Sequence, residues 1–98
     1  MQKFSTIDIL GKCYTIVICN ERSDKFRANV DTFNSRIHIS EGLKQDQYGE
    51  CLLHEIIETI DGECDLGMNH QTIATLSSCL YQIIKPYLKS DKLVDNKK

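Results

Sequence analysis

The feature that most constrains the fold of this chain is a run of apolar residues at helical spacing near its middle. Apolar side chains stand at positions 52, 53, 56, 57 and 60. This spacing repeats the i, i+4, i+8 pattern of one helix face. It predicts an amphipathic helix over about 45–60 that buries one side against a core. Gly62, directly after Asp61, is placed to end that helix in the left-handed conformation that favours glycine.

Alternation of apolar and polar residues replaces the helical spacing in the first half of the chain. Together with many β-branched residues, the alternation predicts four strands, at 5–10, 13–19, 26–32 and 36–40. Gly11 suits a tight connection between the first two strands. Asn34 can take the positive φ of a turn before the fourth strand. The wholly polar segment 20–25 predicts a loop.

A second helical pattern begins near Asn69, a residue type that caps helix N-termini well. Its apolar stripe consists of Ile73, Leu76, Leu80, Ile83, Ile84, Tyr87 and Leu88. Pro86 lies late in this pattern and should bend or fray the last turn. The polar residues 90–98 predict a disordered tail.

The order of these elements predicts an α+β fold. We expect one small antiparallel sheet of three or four strands with two helices packed on it. A length of 98 residues allows one domain with one core, which we place at residues 1–89 before the tail. The hydrophobic fraction of 41% and the charged fraction of 27% are ordinary for a globular protein in water.

Composition also argues against several classes of partner. The net charge is −2 and the basic residues are scattered, so no nucleic-acid partner is expected. No segment approaches the roughly 18 apolar residues of a membrane span, and the first eight residues lack the apolar core of a signal peptide. We therefore expect a cytoplasmic protein without a membrane partner. Its cysteines should be reduced and mostly buried; they are Cys13, Cys19, Cys51, Cys64 and Cys79.

The first helix carries a pattern typical of hydrolytic metal sites. At about 100° per residue, His54 and Glu58 share one face a turn apart, and Glu55 lies further round. An imidazole and a carboxylate at i and i+4 can bind one metal ion, and the carboxylate that follows the first ligand can act as general base. Both groups are ordinary Zn²⁺ ligands. The alternative is that these polar side chains are simply solvated on the outer face of the helix.

A catalytic zinc site needs a third protein ligand. His70 is the leading candidate, because a short loop lets the second helix fold back antiparallel to the first. Glu63, Cys64 and Asp65 in that loop are weaker candidates. Other polar residues have structural interpretations. We expect His38 on the surface of a strand, Cys51 and Tyr81 in packing, and Asp61 either at the helix end or accepting a hydrogen bond from a ligand histidine.

Three segments carry a resemblance to a known group: 52–60 with its Leu-Leu-His-Glu sequence, 66–73, and Leu-Tyr-Gln at 80–82. They resemble small zincin-like metallopeptidase-fold proteins of bacteriophages and prophages. Members commonly have a second histidine on the helix and a glutamate near the start of the next helix as third ligand. Glu58 and His70 stand at those two places here, so the resemblance implies the same ligand set of two histidines and one glutamate, permuted.

The resemblance implies a minimal zinc-dependent peptidase in the cytoplasm of a bacterial host. His54, Glu58 and His70 would hold Zn²⁺ and Glu55 would be the catalytic base, with a peptide or protein as substrate. The alternative is a non-catalytic phage accessory protein that uses the same fold to bind a partner. Since the carboxylate of Glu58 adds negative charge, it would make a bound Zn²⁺ a weaker Lewis acid.

Overall fold

The computed structural model describes residues 5–19 and 28–95, with side chains of the last helix described as far as Tyr87. It confirms the α+β class. The elements are β1 (Ser5–Ile9), β2 (Lys12–Cys19), β3 (Ala28–Asp31), β4 (Arg36–Ser40), α1 (Gln45–Cys64) and α2 (His70–Asp95). The predicted loop 20–25 and the first two residues of the predicted third strand lie outside the described residues.

The four strands form one mixed sheet in the order β1-β2-β4-β3. β1 pairs with β2, and β3 with β4, in antiparallel hairpins. The two central strands, β2 and β4, are parallel, with Ile16 opposite Ile37. The prediction of a wholly antiparallel sheet is therefore wrong. Alternation reports which residues are strands and which face each side chain takes, whereas the pairing partner depends on contacts distant in sequence.

Both hairpin turns have local causes. Ile9 pairs with Lys12, and the two residues between them, Leu10 and Gly11, have φ of 51° and 83°. Two consecutive positive φ angles give the turn whose twist matches the flanking strands. In the second turn the Asp31 carboxylate accepts hydrogen bonds from the backbone and side-chain nitrogens of Asn34 at 3.1 and 2.8 Å. The positive φ there belongs to Ser35 and not, as predicted, to Asn34.

One face of the sheet packs on α1 and forms the core. Its fully buried side chains are Tyr14, Ile37 and Ile39. Leu52, Ile56 and Ile60 of α1 pack against this cluster. α2 contacts α1 but no strand, as far as the described residues go. The prediction that both helices pack on the sheet is thus wrong. α1 already covers the apolar face of this small sheet, so α2 packs on the flank of α1 and forms a third layer.

Of the predicted stripe of α2, Ile73 lies in the contact between the helices, whereas most of the other members do not. Ile73, Ser77 and Tyr81 are buried at intervals of four residues, about one helical turn each. The Tyr81 ring lies directly over Gly49 of α1, and its hydroxyl donates a hydrogen bond to Asp46 at 3.1 Å. Most of the predicted stripe is exposed instead; the exposed members are Leu76, Leu80, Ile83, Ile84 and Tyr87. The side chain of Leu88 lies outside the described part.

Both helices run past their predicted ends. α1 continues through Gly62, whose φ is negative, to Cys64. The left-handed residue that follows is Asp65, with φ 54°, so the glycine prediction is wrong. α2 contains Pro86 and continues as helix to Asp95, into the segment predicted as a disordered tail, whose last residues, 96–98, are not described. Within the described residues neither helix is long and apolar enough to cross a membrane.

Candidate metal centre

α1 brings two of the predicted ligands into contact. His54 and Glu58 are one turn apart, and side chains at this spacing are neighbours on a helix surface. The Nε2 atom of His54 lies 3.1 Å from Oε2 of Glu58. Their side chains are 18% and 34% exposed, so the pair stands at the rim of the core with one side open to solvent.

A short, well-tied loop sets the position of the third ligand. Asp65 in the left-handed conformation ends α1, and the backbone carbonyl of Asp61 accepts hydrogen bonds from the N–H groups of Asp65 and Leu66. The Asp61 carboxylate accepts another from the backbone N–H of Met68 at 2.9 Å. Asn69 then caps α2, with its side-chain oxygen 2.8 Å from the backbone nitrogen of Thr72. These hydrogen bonds reverse the direction of the chain within a short loop and place the start of α2 beside the ligand pair on α1.

Of the two roles predicted for Asp61, the structure shows the one at the helix end. Its side chain accepts a hydrogen bond from the backbone N–H of Met68, just past the end of α1, and so holds the loop that carries His70. The signal was present in the residue type, because Asp readily bonds to backbone N–H groups a few residues along the chain. The direction in which the loop turns after α1 cannot be predicted from the sequence, so the backbone N–H group that Asp61 meets could not be named.

His70, the first residue of α2, completes a cluster of three ligand groups. Its Nδ1 atom lies 3.9 Å from Oε2 of Glu58, and its ring centroid lies 5.1 Å from that of His54, with the rings tilted by 56°. One ligand atom from each of the three side chains lies within 4.8 Å of the others. The structure thus brings together the three residues predicted as metal ligands, with Glu58 between the two imidazoles.

The donor set and its spacing fit a zinc ion. Zn²⁺ takes histidine nitrogen and carboxylate oxygen at about 2.0–2.2 Å, so two ligand atoms in a tetrahedral site stand about 3.4 Å apart. The distances of 3.1 and 3.9 Å from Glu58 bracket this value. The ligand atoms, which lie within 4.8 Å of one another, must close by at most about 1.4 Å, and His70, with 78% of its side chain exposed, has room to rotate. Three protein ligands would leave a fourth position open.

Glu55 lies under this cluster and is almost wholly buried, with 5% of its surface exposed. Burial raises the pKa of its carboxyl to about 7, and the nearby carboxylate of Glu58 contributes through charge repulsion and a hydrogen bond. Its Oε1 atom has no hydrogen-bond partner among the described residues. An ionisable group buried beside a cluster of metal-ligand types, with one oxygen unpaired, is placed to accept or release a proton there.

The weaker candidates lie outside the cluster. Glu63 pairs with Lys12 at 3.1 Å, and Cys64 and Asp65 are exposed and do not join the group of ligand atoms. His38 stands on β4, with its Nδ1 atom 3.2 Å from Asn29, and Cys51 is half-buried on α1. The prediction that the cysteines are mostly buried is wrong: the exposed ones are Cys13, Cys64 and Cys79. Cys13 is the second residue of β2, Cys64 ends α1, and Cys79 lies on the exposed side of α2.

The chain was compared with protein families, curated proteins and solved structures. No family model matches the chain, and no match is found among curated proteins or solved structures.

Proposed function

We propose that this protein binds Zn²⁺ through His54, Glu58 and His70 and uses the site to hydrolyse a peptide or protein. The observation that supports this most is the convergence of the three ligand atoms within 4.8 Å. The three side chains come from two helices, so the cluster depends on the tertiary fold and not on the helical repeat alone. A carboxylate flanked by two imidazoles is a donor set that zinc accepts readily.

Each polar residue of the site has a defined task in this proposal. A bound Zn²⁺ would supply a Lewis acid that makes water nucleophilic near neutral pH. Glu55 would accept the proton of the attacking water and pass it to the leaving amine. Its pKa of about 7 suits this task, because a general base works best when its pKa is close to the operating pH. Asp61 and Asn69 would position His70 through the loop and the helix cap.

The shape of the site favours a macromolecular substrate. His70 is largely exposed, and Glu58 is a third exposed, so the cluster opens at the surface of the helix pair. Sites for small molecules are concave and bury most of their ligand. An extended peptide, or a flexible segment of a folded protein, can reach an open site without entering a cavity.

Metal binding is tested first, on protein purified without a metal-affinity column and treated with a chelator. We expect titration calorimetry to give one Zn²⁺ per chain, and Zn²⁺ to raise the melting temperature by mass action. His54→Ala, Glu58→Ala and His70→Ala should each weaken binding at least ten-fold. The chain offers a matched control, His38→Ala, because the third histidine lies on β4 and outside the cluster. Equal binding by His38→Ala and the three ligand variants would show that the cluster is not the site.

Catalysis is tested separately with Glu55→Gln. This variant keeps the shape of the side chain but cannot accept a proton from water. We expect it to bind Zn²⁺ as the wild type does and to lose at least a hundred-fold in the cleavage of a mixture of fluorogenic peptides, in line with the loss of a general base. Retention of cleavage by Glu55→Gln would assign the base to another residue.

A second candidate function is a zinc-binding accessory protein that captures a partner without cleaving it. The position of Glu58 favours this reading, since a carboxylate ligand lowers the charge of the site and with it the Lewis acidity of a bound metal. Its signature is a zinc-dependent interaction that Glu55→Gln leaves intact and that His70→Ala abolishes. The peptidase and the accessory protein are thus separated by the same pair of variants.

A further inference from the structure

α2 exposes a row of large apolar side chains that no described part of the chain covers. We call this row the α2 stripe; it consists of Leu76, Leu80, Ile83, Ile84 and Tyr87, which are between 36% and 71% exposed. The stripe lies beside the face that packs on α1, which is marked by Ile73, Ser77 and Tyr81. A helix at the outside of a three-layer fold normally turns charged residues to solvent. This one exposes leucine and isoleucine instead.

The spacing of the α2 stripe is the spacing that helices use to pack against each other. Leu76, Leu80, Ile83 and Tyr87 follow one another by four, three and four residues. Such a heptad pattern keeps the side chains on one seam, where they can enter the gaps of a facing helix. Over these positions the seam is about 16 Å long at 1.5 Å per residue.

Most of the stripe also lies in an uncharged segment of the chain. Residues 71–84 contain no Asp, Glu, Lys or Arg, and the next charged residue, Lys85, forms an ion pair with Asp46 of α1 at 3.0 Å. Depletion of charge marks the central part of protein interfaces. A neutral surface can also meet an identical copy of itself without the repulsion that like charges would cause.

We propose that a second copy of this chain covers the α2 stripe, so that two α2 helices pack against each other about a two-fold axis. Such an interface uses the same patch on both copies. With large side chains of about 150–250 Å² each, the exposed fractions correspond to roughly 500 Å² per copy. Pairing would then bury roughly 1,000 Å² in all, which is the lower limit for a specific interface.

A second copy fits the stripe better than a lipid surface does. Helices that lie on membranes carry lysine and arginine along their polar face. The neutral residues that flank this stripe are instead threonine, cysteine and glutamine, at Thr72, Thr75, Cys79 and Gln82. The stripe also leaves His70 free, because that residue lies on the α1-facing side of the helix. The inferred dimer therefore does not depend on the proposed metal site.

Sedimentation velocity over a concentration series, from low micromolar to several hundred micromolar, tests the dimer on the full chain in the presence of a chelator. We expect a reversible monomer–dimer equilibrium with a dissociation constant in the micromolar range, because interfaces of this size are weak. Ile83→Lys should raise that constant at least ten-fold. Tyr87→Lys serves as a second variant, and its residue is also more than half exposed, so neither change disturbs the core.

Phe33→Lys is the matched control. Phe33 is 93% exposed, the highest value among the exposed large apolar residues of the described chain, and it lies in the turn between β3 and β4, away from α2. It should dimerise as the wild type does. A wild type that stays monomeric at the highest concentration overturns the proposal. So does a dimer that survives both Ile83→Lys and Tyr87→Lys with circular dichroism unchanged, or one that Phe33→Lys abolishes.

Discussion

The two helices of this protein place their apolar residues in different environments, one buried and one largely exposed. α1 turns Leu52, Ile56 and Ile60 toward the sheet, where they pack on the core. α2 buries Ile73 and Tyr81 but leaves its more continuous apolar row, including Ile83, exposed. Most large apolar side chains of α2 therefore do not pack inside the chain, whereas those of α1 do.

The difference follows from which surfaces each helix meets. α1 lies between the sheet and α2 and contacts both, and its ionisable residue Glu55 is buried although it stands outside the apolar arc. α2 has a single neighbour and approaches it closely over Gly49, where only a residue without a side chain leaves room for Tyr81. The contact with α1 buries Ile73, Ser77 and Tyr81, and it leaves Leu80, Ile83 and Ile84 on the exposed side of α2.

Truncation of one isoleucine on each face of α2 should give the largest difference in stability. Ile73→Ala removes a buried side chain and should lower the free energy of unfolding by about 2–5 kcal/mol. Ile83→Ala removes an exposed one and should change it by less than about 0.5 kcal/mol in dilute, monomeric protein. Urea denaturation at low protein concentration measures both. Equal losses would mean that the exposed row is packed inside the chain.

The buried carboxyl of Glu55 on α1 should make the stability of the protein depend on pH. Its pKa is about 7 in the folded protein against an ordinary value of 4.5, so the folded state holds its proton more tightly than the unfolded state. The carboxyl therefore lowers stability as pH rises between these values, and the loss is complete above about pH 7. Glu55→Gln removes this loss and should stabilise the metal-free protein at pH 8 by up to about 3 kcal/mol, and hardly at pH 4.5.

The control for this prediction is Glu41→Gln, which changes an exposed glutamate between β4 and α1. Its stability relative to wild type should be nearly the same at the two pH values. Thermal unfolding in chelator at both pH values measures the pair. A gain for Glu55→Gln that does not grow with pH would show that its carboxyl is not held in a protonated form.

Two glycines of α1 lie on surfaces of opposite kind, one covered by α2 and one open. A Cβ atom at Gly49 would stand 2.7 Å from Cζ of Tyr81, a buried ring that is also held by its hydrogen bond to Asp46. Gly49→Ala should therefore destabilise the protein by about 1–3 kcal/mol. A Cβ atom at Gly62 meets nothing within 4 Å. Gly62→Ala should stabilise the helix by about 0.5–1 kcal/mol, and urea denaturation separates the two signs.

A smaller effect than at the buried positions is expected at the start of α2. Asn69→Ala removes the side-chain oxygen that caps the helix through Thr72 and should cost about 1 kcal/mol. Because His70 follows directly, the variant should also weaken Zn²⁺ binding if the proposed site is correct. Gln71→Ala, at an exposed position one residue beyond His70, is the control and should leave both quantities unchanged. Unfolding and zinc titration on the same samples give the two readouts.

Local patterns in the sequence predict much of this fold. Alternation locates the four strands, and the spacing of Leu52, Ile56 and Ile60 locates α1 and its core face. Parallel pairing of β2 with β4 is not visible in such patterns, because it joins residues about twenty positions apart that have no local contact. The extension of α1 past Gly62 is likewise decided by Asp65, which takes the left-handed conformation that glycine was expected to take.

In the candidate site, too, the sequence predicts the local contacts but not those that depend on the tertiary fold. The i, i+4 spacing alone places His54 beside Glu58, and the loop length makes His70 a reasonable neighbour of both. The burial of Glu55 is not predictable from its own helix, since it depends on how α1 packs in the folded chain. For α2, the sequence identifies the apolar side chains but wrongly predicts that they pack on the sheet. Hydrophobic periodicity identifies which face is apolar, but it carries no information about what covers that face.

The parallel seam between β2 and β4 has a consequence for how the chain folds. Each hairpin, β1–β2 and β3–β4, closes through a short turn and can form within microseconds. Joining them requires the chain to loop back between its two central strands, which costs closure entropy before any stabilising contact forms. We expect the docking of two preformed hairpins beneath α1 to limit the folding rate. Changes at the β2–β4 seam would then slow folding, whereas changes in α2 would mainly speed unfolding.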